Sequence, residues 1–431
     1  MAKSATNDKT VLPLHEVIGE IIPGIIAEKE MGKEIAEPYI IGTPGGGKTK
    51  MFEATFSKRE GTAVLNYTPG LERQEKFGGI PDFYKKTNED KKEELHTIWS
   101  IPQMITDIRD AMKHNERAIV LFDDWHLCDA DIQKIGFELF THRSLNGHKI
   151  PKERVHFILM GNEKSTAGAK IQLSAIKNRC ALFHTKSDVN YWIENFATVN
   201  GIHPTFVSFF EQTANSHFFQ EEESSSSPFG SPRSWTSTAN IISMFERTIA
   251  SGKKHKSVNM TRLMAALESG VSIEAARKFI QYYEIYTKVD IDTIFAKMPI
   301  KIDDDLSNRY AMVSAVENEL ISRYIDVSIE HVKTKNSIKF NKDVENLTEV
   351  CTNFYNALEK AGANELIMKT IRHMVSFVYT HENKEINTSS LIMSILKSSS
   401  SKKGAFKMSD TLKQAINDKN QSAVSWLNNK K

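Results

Sequence analysis

The sequence predicts an α/β fold: a parallel sheet with helices on both faces, then a small helical domain and a helical C-terminal extension. Three observations carry this. Short apolar runs alternate with helical patterns over about the first 190 residues. One run leads straight into a glycine-rich loop followed by a helical segment. Beyond residue 188 the strand-like runs nearly vanish. The expected divisions are 1–190 for the α/β domain, 191–290 for the helical domain and 291–431 for the extension.

Each element has its own signal. Residues 13–35 carry apolar positions at helical spacing (Leu14, Val17, Ile18, Ile21, Ile22, Ile25, Ile26), with Pro23 expected to kink or break the helix. The strand-like runs are Tyr39–Ile41, Thr62–Tyr67, Ala118–Phe122, Val155–Met160 and Ala181–His184. Most are apolar without strict alternation, which suits strands covered on both faces. Helical patterns fit between them near 50–58, 97–114, 130–143 and 169–178. Residues 188–220, 235–250 and 258–290 read as helices, and 303–431 is polar and helical in pattern. The acidic, Ser-rich stretch 221–232 is expected to be an exposed loop, and 398–404 a flexible linker.

Composition bounds the function classes. With 56 Lys+Arg against 54 Asp+Glu, the formal net charge is +2, so a cationic sheath over the whole surface is excluded. Hydrophobic residues at 40% and charged residues at 26% are those of a globular chain. No apolar run reaches the roughly 18 residues of a membrane span, and the N-terminus lacks the apolar stretch of a secretory signal. The three cysteines, Cys128, Cys180 and Cys351, are too far apart for a disulfide framework or zinc knuckle. A reducing cytoplasm is the expected compartment.

The sharpest motif is Gly42-Thr43-Pro44-Gly45-Gly46-Gly47-Lys48-Thr49, which fits G-x-x-x-x-G-K-[ST] between a strand and a helix. Glycines let backbone N–H groups turn inward around phosphate oxygens, and the helix N-terminus adds partial positive charge. Lys48 would reach the β- and γ-phosphates of ATP, and the Thr49 hydroxyl would ligate Mg²⁺.

Arg117–Phe122 is a buried-type strand ending in Asp123-Asp124. Acids at the C-terminal edge of a parallel sheet stand where ligands bind. Asp123 would hold Mg²⁺ and Asp124 would orient or deprotonate the attacking water; alternatively, the pair caps a helix. His126 and Cys128 follow, too few for a metal site. Asn162, after the strand Val155–Met160, is placed either to bond the lytic water and γ-phosphate or simply to form a turn. Arg179, before the next strand, is either a phosphate-stabilising guanidinium, often supplied by a neighbouring subunit, or a helix C-terminal cation. Arg233 opens a helix, where a cation opposes the dipole, and this favours a site role.

In order, these pieces resemble the AAA+ ATPases, and within them the MoxR-like group, over roughly residues 35–290. Supporting segments are Phe77-Gly78-Gly79-Ile80-Pro81, the stretch Gly147 to Asn162, Leu173 to Cys180, Ser231 to Trp235, Asp188 to Phe196 and Gly201-Ile202-His203-Pro204, the last two similar to the start of a lid domain in phage and bacterial relatives. The resemblance implies that Thr49 and Asp123 coordinate Mg²⁺, that Asn162 is sensor 1, that Arg179 is a finger acting on the next subunit and that Arg233 is sensor 2. It implies a ring, usually a hexamer, with ATP between subunits, acting on a protein client, frequently with a von Willebrand factor A-domain partner. It implies a bacterial or phage-infected cytoplasm. One position departs from the pattern: the residue after the Mg²⁺ acid is usually Glu and here is Asp124, one methylene shorter.

Two other functions remain open on the sequence. A nucleic-acid motor is permitted by the basic clusters 253–256, 402–403 and 430–431, although these lack interleaved aromatics. An ATP-gated scaffold with little hydrolysis is permitted by Asp124. The segment His142–Lys149, with Gly147, is a candidate to face a substrate or pore. The amphipathic C-terminal helices fit packing better than partner binding.

Overall fold

The computed structural model describes residues 10–87, 93–163, 170, 174–222, 227–250, 259–297, 299–376, 378–381 and 384–392. The basic clusters 253–256, 402–403 and 430–431 and the stretch 398–404 lie outside them. The chain forms two compact units. The first runs to Asp188 and includes Ser231–Arg233; the second comprises Val189–Glu221, Ser227–Gly230 and the chain from Ser234.

The first unit is built on strands β1 (Val11–Pro13), β2 (Glu37–Gly42), β3 (Thr62–Tyr67), β4 (Pro81–Thr87), β5 (Glu93–Trp99), β6 (Arg117–Phe122), β7 (Ser144–Leu145), β8 (His148–Lys149), β9 (Val155–Gly161) and β10 (Cys180–Lys186). Six of these make one sheet in the order β1-β10-β2-β9-β6-β3, every neighbour parallel. Alternate residues of the central strands feed two cores. Val120, Phe122, Phe157 and Leu159 point to one face with Trp125 and Phe140. Ile119, Leu121, Ile158 and Met160 point to the other with Phe52, Phe56 and Val17. This two-sided burial is why these strands read as continuous apolar runs. Each such side chain contributes roughly 1.5–3 kcal/mol by burial.

The strand order also fixes where a ligand can sit. From β2 the chain moves to one side and fills β3, β6 and β9, then crosses to the opposite side of β2 for β10. The crevice at the C-terminal end of β2 is therefore the topological switch point, the ligand position in open α/β sheets.

Three sequence expectations need correction. Of the two outcomes expected at Pro23, a kink or a break, the break does not occur: Leu14–Glu30 is continuously helical, with a π-turn over Val17–Ile21 immediately ahead of Pro23 in the first turn of Ile22–Glu30. Proline lacks the N–H for an i−4 bond, and the wider turn accommodates its ring. The helix expected from residue 97 begins at Gln103, after Pro102, because 93–99 pairs with 81–87 as an antiparallel hairpin. The helical pattern read over 303–431 holds for Leu306–Thr334, Ser337–Lys360 and Asn364–Ser376, but is followed by a second hairpin of β11 (Val378–His381) and β12 (Lys384–Asn387). Val-Tyr-Thr is a β-branched and aromatic run, which favours the strand.

The second unit is otherwise helical among the described residues. Its first core is aromatic: Trp192, Phe206, Phe209, Phe210, Trp235, Phe279 and Tyr283 are all buried together. A further cluster joins the long helices through Val313, Leu320, Phe354, Tyr355, Leu358 and Ile367. Asn259, Ser272, Asp290, Asp305 and Asn336 cap their helices by accepting from backbone N–H groups.

Candidate active site

The loop after β2 turns on glycine. Gly45 and Gly47 have φ of 72° and 89°, left-handed values that cost other residues free energy. A Cβ on Gly45 would stand 2.7 Å from Ser231 Oγ, so the close approach of Ser231 also demands glycine there. Gly47 is the N-cap of the helix Lys48–Phe56, whose N-terminus faces the loop. Ser187 Oγ donates to Gly46 O at 2.6 Å, and the Arg233 main-chain N–H donates to Gly45 O at 3.2 Å. The loop is thus braced by the residues that follow β10 and by the first turn of Pro232–Ala250.

Lys48 is buried, only 8% exposed. Its Nζ donates to Gly42 O at 3.2 Å, Thr43 O at 2.9 Å and Asn162 Oδ1 at 2.8 Å. Burial pushes its pKa down to about 8, opposed by the charges of Asp123 and Asp124 and reinforced by that of Arg233. Thr43 Oγ1 is buried with no hydrogen-bond partner among the described residues, a polar group turned into the loop.

Two acids follow β6. Thr49 Oγ1 donates to Asp123 Oδ2 at 2.6 Å. A hydroxyl and a carboxylate oxygen, side by side at a phosphate loop, are the hard oxygen donors Mg²⁺ takes. The chemistry of these two oxygens fits that ion. The Asp123 carboxylate also accepts the Asp124 N–H at 2.9 Å. Asp124 has φ 49° and ψ 34°, a left-handed backbone that Asp adopts more readily than Glu. The shorter acid at this position therefore has a conformational reason. Asp124 Oδ1 lies 3.9 Å from His126 Nδ1.

Of the residues singled out in the sequence, the structure brings together Gly42–Thr49, Asp123, Asp124, Asn162 and Arg233. It does not bring Arg179. That residue precedes β10, where Cys180 pairs with Glu37 at the start of β2. The loop follows the opposite end of β2, five residues or roughly 17 Å away along the strand. Arg179 Nε donates to Thr141 Oγ1 at 2.6 Å, one of its terminal nitrogens donates to Ala175 O at 3.1 Å, and its guanidinium lies 4.2 Å over the Phe137 ring. The segment 142–149 is a tight hairpin whose turn residues Asn146 and Gly147 have φ of 50° and 79°, the type I′ pattern. Asn146 Nδ2 donates to Gly78 O at 2.6 Å, which ties the hairpin to the Phe77–Pro81 segment.

Two neighbours were not foreseen as part of the site. His126, read only as an incomplete metal ligand, is buried with Nε2 3.2 Å from Asn162 Nδ2. Glu163, the residue after Asn162, has its Oε1 2.9 Å from His184 Nδ1. Both depend on the order of strands in the sheet, and no local spacing signals that.

No protein-family model and no curated protein matches the chain. Among solved structures it is similar to a lysine-to-arginine point mutant of Thermotoga maritima RuvB, at 10% identity over 66% of this chain and 78% of that chain, with a TM-score of 0.33. It is also similar to a proline-to-glycine point mutant of Thermotoga maritima RuvB, at 11% identity over 68% and 81%, TM-score 0.33, and to the Thermotoga maritima RuvB Holliday junction branch migration motor, at 10% identity over 66% and 78%, TM-score 0.32.

Proposed function

We propose that this chain is an AAA+ ATPase of MoxR-like type, which binds ATP with Mg²⁺ and hydrolyses it to ADP and phosphate within a ring of identical subunits. The observation that carries the reading is the meeting of Lys48, Thr49, Asp123 and Asn162 at one end of the sheet, with Lys48 and Asn162 lying 114 residues apart in the chain. In this reading the loop N–H groups and Lys48 would hold the phosphates, and Thr49 and Asp123 would hold Mg²⁺, which would supply charge neutralisation there. Asp124 orients the attacking water and takes its proton. Asn162 and Arg233 border the γ-phosphate position. Arg179, at the far edge of its own sheet, serves the site of the next subunit. Residues 191–290 act as the lid and 291–431 as the extension.

Hydrolysis then changes contacts across a subunit boundary and drives relative motion, spent on remodelling a protein client, with a von Willebrand factor A-domain protein as a candidate partner. Phosphate release with ATP alone, with Arg179→Ala, and with 1:1 mixtures of Arg179→Ala and wild type tests the ring. Mixed rings are expected to lose more activity than the mutant fraction alone explains. Salt-sensitive stimulation by DNA would redirect the reading to a nucleic-acid motor, and binding without turnover to a gated scaffold.

A further inference from the structure

We infer that His126 is the positioning residue that sets the orientation of the Asn162 amide, and through it links the phosphate loop to the acid loop. The inference rests on the proposed ATPase reading and deepens it.

His126 is 4% exposed and lies in the short turn Trp125–Leu127 that follows Asp124. Its main chain is fixed by Lys170, whose N–H donates to His126 O at 2.7 Å. Around Asn162 the donors and acceptors are determined. Lys48 has only donors, so the amide end at 2.8 Å from its Nζ is the carbonyl Oδ1. The amide nitrogen therefore faces His126, 3.2 Å from Nε2. An amide nitrogen has only donors, so Nε2 accepts and carries no proton. The ring proton sits on Nδ1, the side of Asp124 Oδ1. A chain of contacts runs from Lys48 through Asn162 and His126 to the Asp124 side of the site.

This arrangement matters when a triphosphate arrives. Lys48 leaves Asn162 for phosphate oxygens, and the amide loses one of its two anchors. With one N–H still held by His126, the amide plane stays fixed, and its second N–H and freed Oδ1 stay aimed at the γ-phosphate and attacking water. Without an acceptor at Nε2 the amide is free to rotate. The loss falls on the step that needs the γ-phosphate and spares the binding of ADP.

Two substitutions separate this role from packing. In His126→Gln the side-chain carbonyl reaches the Nε2 position and accepts; in His126→Asn it reaches only the Nδ1 position. The full chain is assayed for kcat and KM with Mg²⁺-ATP, for ADP affinity by titration, and for Tm. We expect His126→Asn to lower kcat by about 10-fold or more, as loss of an orienting partner does, with ADP affinity within about 2-fold and His126→Gln recovering most of the turnover. We also expect His126→Asn to have no added effect in an Asn162→Ala background. Equal kcat in the Gln and Asn variants, a parallel loss of ADP affinity, or full additivity with Asn162→Ala would overturn the inference. Should the two variants lose Tm equally yet differ in kcat, the difference still upholds it. A folded wild-type chain that binds no adenine nucleotide sinks the ATPase reading itself; a wild type that turns over ATP with an unaffected His126→Asn sinks only this inference.

Discussion

The two ends of the parallel sheet carry the same kinds of charged side chain and satisfy them in opposite ways. At the N-terminal end, Lys29 Nζ meets Glu37 Oε2 at 2.6 Å, and Arg143 holds the other oxygen of the same carboxylate. Arg143 also donates to Val155 O at 2.9 Å and lies over the Phe157 ring. Glu30 sits between Arg117 at 3.2 Å and His156 at 3.4 Å. The buried cations Lys29 and Arg143 are thus matched by one carboxylate. At the C-terminal end, the acceptors of Lys48 are two backbone carbonyls and an amide, all uncharged. Asp123 is bonded to a hydroxyl. A buried lysine closed on a carboxylate has its charge matched; one resting on neutral acceptors at a glycine loop, as Lys48 does, has a charge that an anion would match. Burial and charge alone therefore do not separate a site from a structural network; the partners do.

Mutation should separate the two ends of the sheet. The largest effect is expected at Asp124. Asp124→Asn keeps the shape and removes the carboxylate proposed as the base, and turnover should fall by about 100-fold or more while ATP affinity persists. Turnover at the parental rate would remove Asp124 from the chemistry. Next comes the pair of buried lysines. Lys48→Ala should weaken ATP binding by about 100-fold, the loss of a charge-assisted contact in a partly desolvated site, and leave Tm little changed. Lys29→Ala should do the reverse, costing about 2–4 kcal/mol of stability by disturbing the Glu37 pair with ATP affinity intact. Similar phenotypes for both would erase the distinction between the two ends.

Acid should sharpen it. Burial, and then the charges of Lys29, Arg143 and Arg117, push His156 down to about 3, with Glu30 the acid that faces it. Its folded pKa lies below its unfolded value of 6.5, so the unfolded chain binds more protons between those limits. Stability from this residue is intact above pH 6.5 and falls as pH drops towards 3, by about 3 kcal/mol at pH 4. Denaturant unfolding of wild type and His156→Gln across that window checks it: the slope should flatten in the variant. The smallest effect is at Gly45→Ala, where the left-handed backbone and Ser231 Oγ at 2.7 Å should cost about 1–3 kcal/mol, read as a lower Tm.

What the sequence makes legible follows from which forces act locally. The central strands are visible because both of their faces are buried, and the loop after β2 because left-handed backbone at Gly45 and Gly47 favours glycine. The hairpin of β4 and β5 is not, because its residues are nearly all exposed, Phe83, Leu95 and Trp99 among them, so no core imposes a pattern. The continuity of the helix past Pro23 depends on a π-turn that no spacing announces. Asn162 is legible as a residue after a strand, whereas its contacts with Lys48 and His126 require knowing that β9 lies between β2 and β6. The distance of Arg179 from its own loop likewise depends on strand direction and not on sequence separation.

The central claim is that the loop around Lys48 grips a triphosphate. Equilibrium titration of the folded chain with Mg²⁺-ATP, alongside Lys48→Ala, tests it most directly. Saturable binding by the wild type, competed by ADP and lost in Lys48→Ala, is the expected result. A folded wild type that shows no saturable binding, or a Lys48→Ala variant that binds as well, would contradict it.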